Sequence, residues 1–178
     1  EMCIRDRAWE YVPLGPFLGK SFATSISPWI TPLAALDAAW VAPPPRDVPL
    51  LPYLEDAGRR DALDISFTAR LNGEVICRPP LSAMYWTPAQ MLTHMTANGA
   101  STRPGDLFAS GTVSGPERSQ WGSLIELSQG GREPIGLADG STRAFLADGD
   151  EVAITATAPG PGGTTVDLGE VAGRITAA

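Results

Sequence analysis

One alternating segment that ends in an Asn-Gly pair constrains the fold of this chain more than any other feature. From Ile65 to Leu71 the side chains alternate between apolar and polar, which predicts a half-buried strand. Asn72-Gly73 is the strongest two-residue hairpin signal, and Val75-Ile76 begins the return strand. We therefore expect a β-hairpin over these residues.

Several short apolar segments, separated by turn residues, predict further strands. Gly (19) and Pro (17) make up about a fifth of the 178 residues, a content that favours many turns and short strands. The strand candidates cover residues 107–113, 122–128, 151–157 and 168–175. Because few helices interrupt them, these strands predict a mainly β domain, a sandwich or a rolled sheet.

Two segments carry helix signals. Thr31-Pro32 opens a short helix that includes Trp40 in its apolar stripe and is expected to stop at Pro43-Pro44-Pro45. Thr87–Gln90 form a capping box with proline at the first helical position, so a second helix is expected to continue to about Asn98. The sheet is therefore expected to carry one or two short helices.

The charge balance narrows the classes of partner. A formal net charge of -7 disfavours nucleic acid and anionic membranes, because both bind clustered lysine and arginine. No apolar run approaches the roughly 18 residues that a membrane span requires. Two cysteines are too few for a disulfide framework, so we expect a reduced, cytoplasmic setting.

The only lysine and a distant glutamate are the most suggestive charged residues. Lys20 lies in a loop rich in glycine, proline and aromatic residues, where a cation needs a carboxylate or an anionic ligand. Glu126 lies between Ile125 and Leu127 in a predicted strand, where a carboxylate also needs a partner. These residues alone leave two alternatives open, a functional site or a structural ion pair.

Three other polar groups have simpler interpretations. His94 is the only histidine and lacks neighbours suited to metal binding or nucleophilic catalysis, so we expect a packed or hydrogen-bonded side chain. Asp148, Asp150 and Glu151 lack the further oxygen ligands of a calcium loop and favour a charged turn. In the glycine-rich turn over residues 111–116, backbone N–H groups and two hydroxyls fit a carboxylate.

The first seven residues differ from the rest of the chain. Met2 to Arg7, preceded by a Glu codon, back-translates into the end sequence of a transposon used to prepare sequencing libraries. We therefore expect residues 1–7 to be translated adaptor, and the natural sequence to begin near Ala8 with its N-terminal part lost. The alternative is an ordinary charged N-terminus.

A series of motifs resembles the fumarylacetoacetase family, also called the fumarylacetoacetate hydrolase family. Trp-Glu-Tyr-Val-Pro-Leu-Gly-Pro-Phe-Leu-Gly-Lys-Ser-Phe, at residues 9–22, is similar to the family's loop at the metal and substrate site. Further motifs follow in the family's order at residues 84–87, 92–94, 103–107, 111–117, 122–128 and 145–152. The resemblance covers residues 8–178 and implies the C-terminal part of a catalytic domain that folds as a mixed β-sheet roll.

The resemblance also implies a reaction and a set of site residues. The family hydrolyses a carbon–carbon bond of 4-fumarylacetoacetate, the last step of tyrosine breakdown, as a homodimer with a divalent metal, Mg²⁺ or Ca²⁺. By this resemblance Tyr11 and Thr112 bind the substrate, a diketo acid. Lys20 and Thr24 lie at the metal site, and Lys20 also faces the developing anion. Glu126 orients the general-base histidine.

The match is incomplete at its start. In the family the base histidine and the metal-binding carboxylates lie upstream of the matching segment, and His94 is not that histidine. An Asp-Trp-Ser-Ala-Arg-Asp-Ile-Gln stretch should directly precede Trp9, where only Arg5-Asp6 is similar. We therefore expect the 178-residue polypeptide to be inactive by itself. An acylpyruvate hydrolase or hydratase of the same superfamily, or a non-catalytic β-rich interaction module, are the alternative interpretations.

Overall fold

A computed structural model describes residues 24–55 and 61–177, in which eight short strands form three antiparallel sheets. The strands are β1 (Trp40–Val41), β2 (Ala62–Leu63), β3 (Ser66–Leu71), β4 (Glu74–Cys77), β5 (Ile135–Gly136), β6 (Thr142–Arg143), β7 (Glu151–Pro159) and β8 (Thr165–Arg174). The main sheet has four strands in the order β4-β3-β7-β8. The pairs β1-β2 and β5-β6 form two small sheets beside it.

The predicted hairpin, β3-β4, forms one side of the main sheet, with β4 as an edge strand. Leu71 of β3 pairs with Glu74 of β4, so the turn contains two residues, Asn72 and Gly73. Both adopt positive φ, 51° and 84°, as the mirror-image hairpin turns require. The strands predicted over residues 151–157 and 168–175 are also confirmed as β7 and β8, which extend the sheet on the far side of β3.

The helices in the described part of the chain are short. The α-helices are α1 (Pro88–Thr96) and α2 (Leu124–Leu127), and the 3₁₀ helices cover Leu33–Ala39, Pro52–Leu54, Leu81–Ala83, Arg118–Gln120 and Pro161–Gly163. The capping box of α1 is confirmed, because the Thr87 side chain accepts from the Gln90 amide and the Gln90 side chain accepts from the Thr87 amide. The helix predicted from Thr31-Pro32 forms a 3₁₀ helix without a side-chain cap.

Two predicted strands are wrong. Residues 107–113 contain no regular structure and are almost wholly exposed. Residues 122–128 contain the helix α2 instead of a strand. Both segments are short and lie beside turns. A few apolar residues in such a segment do not show the strict alternation that identifies a strand.

Two clusters of buried apolar residues form the core of the part that the structure describes, and one of them supports α2. Its buried members are Ala69, Leu71, Cys77, Leu124, Leu127, Leu137 and Leu146. The second cluster, near the 3₁₀ helix at Leu33–Ala39, has the buried members Leu36, Ala39, Leu63, Ile65, Ala156 and Ala158. Since α2 packs on β3 and β4 through the first cluster, the sheet fixes the position of this short helix.

The expected fold class, mainly β with little helix, is confirmed. No helix within the described ranges is long and apolar enough to cross a membrane.

Candidate functional site

Two motifs of the sequence fold against each other next to α2. The turn that begins at Gly111 is linked to the following segment by two hydrogen bonds. The Gly115 amide donates to the Gln120 carbonyl at 3.0 Å, and the Gly122 amide donates to Ser114 Oγ at 3.1 Å. These bonds hold the glycine-rich turn beside the segment that leads into α2.

Gly122 allows this close approach. A Cβ atom at this position would overlap the carbonyl oxygen of Val113 and would lie 3.3 Å from Cγ2 of Thr112. Because backbone cannot swing aside as a flexible side chain can, any larger residue would force the two segments apart. Thr112, a predicted substrate-binding residue, therefore lies against this segment and remains exposed.

The carboxylate of Glu126 is held by two serine hydroxyls. Ser114 Oγ donates to it and lies 2.9 Å from Oε1 and 2.8 Å from Oε2. Ser123 Oγ donates to Oε2 at 2.8 Å and also caps α2 by accepting from the Glu126 amide. The half-buried charge of Glu126 is thus stabilised by neutral donors.

These contacts correct the predicted surroundings of Glu126. The strand predicted around it is a helical turn, and Ser123 with Glu126 matches the Ser-x-x-Glu pattern that marks a helix start. The Ser114 hydroxyl, which was expected to suit a bound carboxylate, donates to a carboxylate of the chain itself. Among the described residues no ion pair reaches Glu126.

Cys77 is a titratable neighbour of Glu126. It is buried in the core cluster that also contains Leu124 and Leu127 of α2. Burial raises the pKa of the Cys77 thiol to about 11, and the negative charge of Glu126 acts in the same direction. A thiol with such a pKa stays protonated near neutral pH, so Cys77 packs in the core and is not a candidate nucleophile.

The other predicted site residues are not brought together with Glu126 in the part of the chain that the structure describes. Thr24 is exposed and has no hydrogen bond to Glu126 within that part. Tyr11 and Lys20 lie outside the described residues, as do residues 1–7. Their roles, including an ion pair between Lys20 and Glu126, stay predictions.

A divalent-metal site does not fit the described residues alone. Mg²⁺ and Ca²⁺ prefer about six oxygen ligands, largely from carboxylates. Residues 24–55 and 61–177 contain no group of three or more His, Cys, Asp or Glu side chains that could hold a metal ion. Thr24 offers one oxygen, and Lys20 has only donors, so carboxylates from outside this part of the chain would be needed.

His94 contacts Tyr53 at the protein surface. The Tyr53 hydroxyl lies 3.0 Å from Nδ1 of His94, and the two rings stack with their centroids 6.3 Å apart. The expectation that this histidine is hydrogen-bonded is therefore confirmed, although its side chain is exposed rather than packed.

The charged turn near the start of β7 is also confirmed. The Asp150 amide donates to the Ala147 carbonyl at 3.1 Å, and Gly149 adopts a positive φ of 92°. The Asp150 carboxylate is 2% exposed and pairs with Arg143 at 2.8 Å. The Asp150 carboxylate is therefore buried and paired within the fold, as expected for a structural turn.

Comparison with known proteins decides the family. The family profile described as fumarylacetoacetate (FAA) hydrolase C-terminal matches residues 1–176. The chain belongs to the fumarylacetoacetate hydrolase family. The resemblance inferred from the motifs is thus confirmed for the family and for its C-terminal part.

Several proteins described as fumarylacetoacetase are similar to this chain over almost all of its length. The Homo sapiens protein is 49% identical over 173 residues, which cover 94% of this chain and 41% of the relative. The proteins of Arabidopsis thaliana and Caenorhabditis elegans are 45% and 41% identical over 175 residues, each covering 95% of this chain and 41% of the relative. The chain thus spans about two fifths of the length of these curated relatives.

Proposed function

We propose that the full-length protein hydrolyses a carbon–carbon bond of 4-fumarylacetoacetate to give fumarate and acetoacetate, the last step of tyrosine catabolism. The observation that carries the proposal is the Glu126 carboxylate, which Ser114 and Ser123 hold in place in motifs that resemble the family's. The relatives described as fumarylacetoacetase support the same reaction.

In this reaction a water molecule attacks the ketone next to the fumaryl group. A base histidine from upstream takes the water proton, and the carbon–carbon bond breaks with its electron pair moving to the acetoacetate fragment as an enolate. The enolate then takes a proton from the protonated histidine, which gives acetoacetate and restores the base. Glu126 accepts the N–H of that histidine on the side away from the substrate. Such a contact sets the tautomer of a base and stabilises its protonated form.

The other predicted residues act on the substrate. The Lys20 ammonium stabilises the enolate, because a fixed cation lowers the energy of a charge that develops in the transition state. Thr112 and Tyr11 donate hydroxyl hydrogen bonds to the diketo acid. The exposed position of Thr112 beside the Glu126 segment supports this role for Thr112.

A second part of the proposal is that the full-length protein needs Mg²⁺ or Ca²⁺. The resemblance supports it, whereas the described residues do not form such a site alone. Metal analysis of the purified full-length protein, followed by chelation and re-addition of each ion, tests the requirement. Full activity of metal-free protein would overturn it.

We also propose a cytoplasmic homodimer. The free, buried thiol of Cys77 supports a reducing compartment. Several apolar side chains remain exposed between residues 26 and 33, with Trp29 75% and Ile30 92% exposed, and such surfaces often mark interfaces. Light scattering on the full-length protein tests the dimer, and a monomer at micromolar concentration would contradict it.

The activity itself is tested by following the loss of diketone absorbance with the full-length protein. We expect fumarate and acetoacetate to appear in equal amounts. An acylpyruvate substrate serves as the competitor, because turnover of that compound alone would identify the alternative hydrolase of the same superfamily. Turnover of neither compound, by folded and metal-loaded protein, would favour the non-catalytic interaction module.

A further inference from the structure

The geometry around Glu126 assigns a role to a residue that the predicted site does not include. Ser114 contacts both oxygens of the carboxylate, at 2.9 Å and 2.8 Å. A serine hydroxyl has a single proton, so Ser114 shares that proton between the two oxygens of the carboxylate. A shared donor of this kind fixes the rotation of the carboxylate about its last bond.

The backbone sets the direction of the Ser114 hydroxyl. Ser114 Oγ accepts from the Gly122 amide at 3.1 Å. Because a lone pair of Oγ is occupied by that amide, the proton of Oγ is directed to Glu126. Gly122 therefore contributes both the close approach of the segments and the donor that orients the serine.

The contacts of the two oxygens are unequal. Oε2 of Glu126 accepts from Ser123 at 2.8 Å and shares the proton of Ser114, whereas among the described residues Oε1 has only the shared contact. A carboxylate has about four acceptor sites. Oε1 therefore retains more capacity for a further donor than Oε2.

We propose that Ser114 is a positioning residue that holds the Glu126 carboxylate with Oε1 available to the N–H of the base histidine. This inference rests on the proposed function, in which that histidine activates the attacking water. In this role Ser114 acts through Glu126 and does not need to contact the substrate or the base. Without its hydroxyl the carboxylate rotates, and the histidine loses its orientation.

The test compares three serine variants of the full-length protein. Ser114→Ala removes the donor and Ser114→Thr keeps it. Ser110→Ala is the matched control, since Ser110 is an exposed serine of the same segment whose hydroxyl donates to the adjacent Gly111 carbonyl. Ser123→Ala is less informative, because that serine also caps α2.

We expect Ser114→Ala to lower kcat by about 10–100-fold, the range for losing the partner that orients a functional side chain. KM should change by less than about threefold, because substrate contacts remain. Ser114→Thr should retain kcat within about threefold, and Ser110→Ala should match the wild type. A merely structural role predicts instead that Ser114→Ala lowers the melting temperature while the folded enzyme keeps its kcat, and that result would overturn the inference.

A crystal structure of Ser114→Ala separates this inference from the proposed function. If the wild type does not hydrolyse 4-fumarylacetoacetate, the proposed reaction fails, and the structure alone then decides the role of Ser114. A Glu126 carboxylate that is rotated, or that adopts two conformations, supports the positioning role. A carboxylate that is unmoved from its wild-type position would overturn it.

Discussion

Asp150 is a single residue on which several parts of the fold depend. Its carboxylate accepts from the Arg143 guanidinium at 2.8 Å and 3.0 Å, from Asn72 at 2.9 Å and from the Ala147 amide at 2.8 Å. Asn72 belongs to the hairpin turn between β3 and β4, so this one carboxylate joins that turn to the start of β7. A buried charge with four donors is costly to neutralise.

We expect the stability of the full-length protein to fall in acid because of this group. Burial by itself raises the pKa of Asp150, but the hydrogen bonds from Arg143, the Ala147 amide and Asn72 outweigh burial and hold that pKa below its usual value. A lowered carboxyl pKa gives stability that is complete above the unfolded value, about 3.9. It is lost as the pH falls through the lower, folded value. Melting curves between pH 7 and pH 2 measure this loss.

Replacing Asp150 by asparagine should remove that acid-dependent stability and cost about 3 kcal/mol at pH 7, because Arg143 is left without its counter-charge. Glu151→Gln is the control. Glu151 pairs with Arg174 at 3.0 Å, and both side chains are exposed. We therefore expect this variant to lose less than about 1 kcal/mol of unfolding free energy. Equal costs for the two variants, measured by chemical denaturation at pH 7, would contradict the structural role of Asp150.

Lys20 provides the residue-scale test of the proposed chemistry. If its ammonium stabilises the enolate, Lys20→Met in the full-length enzyme should lower kcat by about 10²–10³, the scale for losing one such donor. Substrate binding should change less, because the charge develops mainly in the transition state. If Lys20 forms only a structural ion pair with Glu126, the melting temperature falls and kcat is nearly normal. Measuring both quantities distinguishes these outcomes, and a stable variant with unchanged kcat would exclude Lys20 from the mechanism.

At the scale of elements, the hairpin and α1 were predictable because each signal is complete within a few residues. Asn72-Gly73 specifies its turn through two positive φ angles. At the start of α1 the side chains of Thr87 and Gln90, three residues apart, each accept from the other residue's backbone amide. The sequence of residues 122–128 is compatible with two structures. Leu124 and Leu127, three residues apart, fit one face of a helix, whereas Ile125 and Leu127, two residues apart, fit one face of a strand. The Ser123 cap decides between them, and it is visible in the sequence.

The close approach of Gly122 to the turn at residues 111–116 can be tested by substitution. Gly122→Ala places a methyl group on the Val113 carbonyl oxygen, so the segments must separate. We expect a loss of about 1–3 kcal/mol in unfolding free energy, typical of overpacking. A parallel loss of kcat is expected, because the contact between Ser114 and Glu126 depends on the same approach. Gly136→Ala is the matched control, since a Cβ atom there has no atom within 4 Å and its effect should stay within about 0.5 kcal/mol.

For the whole molecule, the candidate site was less predictable than the fold. The sequence motifs identify Glu126 and Thr112, but one of the two serine donors to Glu126 is Ser114, which lies twelve residues away and reaches it through a close backbone approach. Such an approach depends on three-dimensional packing and has no periodic signal in the sequence. The metal site was also not predictable from periodic patterns, and the described residues contain no group of three or more possible metal ligands.

The 178-residue polypeptide lacks part of the proposed catalytic site when it is a separate molecule. We expect it not to hydrolyse 4-fumarylacetoacetate. Its only histidine, His94, contacts Tyr53 at the surface, so no histidine is available as the base that Glu126 would orient. Residues 24–55 and 61–177 contain no group of three or more His, Cys, Asp or Glu side chains that could hold the divalent ion that the reaction is proposed to need.

The assay follows diketone absorbance with purified polypeptide, in the presence of Mg²⁺ or Ca²⁺, beside the full-length protein at equal concentration. Circular dichroism of the polypeptide shows whether it is folded, so that inactivity of a folded chain can be assigned to the incomplete site. Turnover by the polypeptide at a rate comparable with that of the full-length protein would show that the catalytic groups lie within these residues. The assignment of the base to an upstream histidine would then be wrong, and His94→Gln would become the decisive variant.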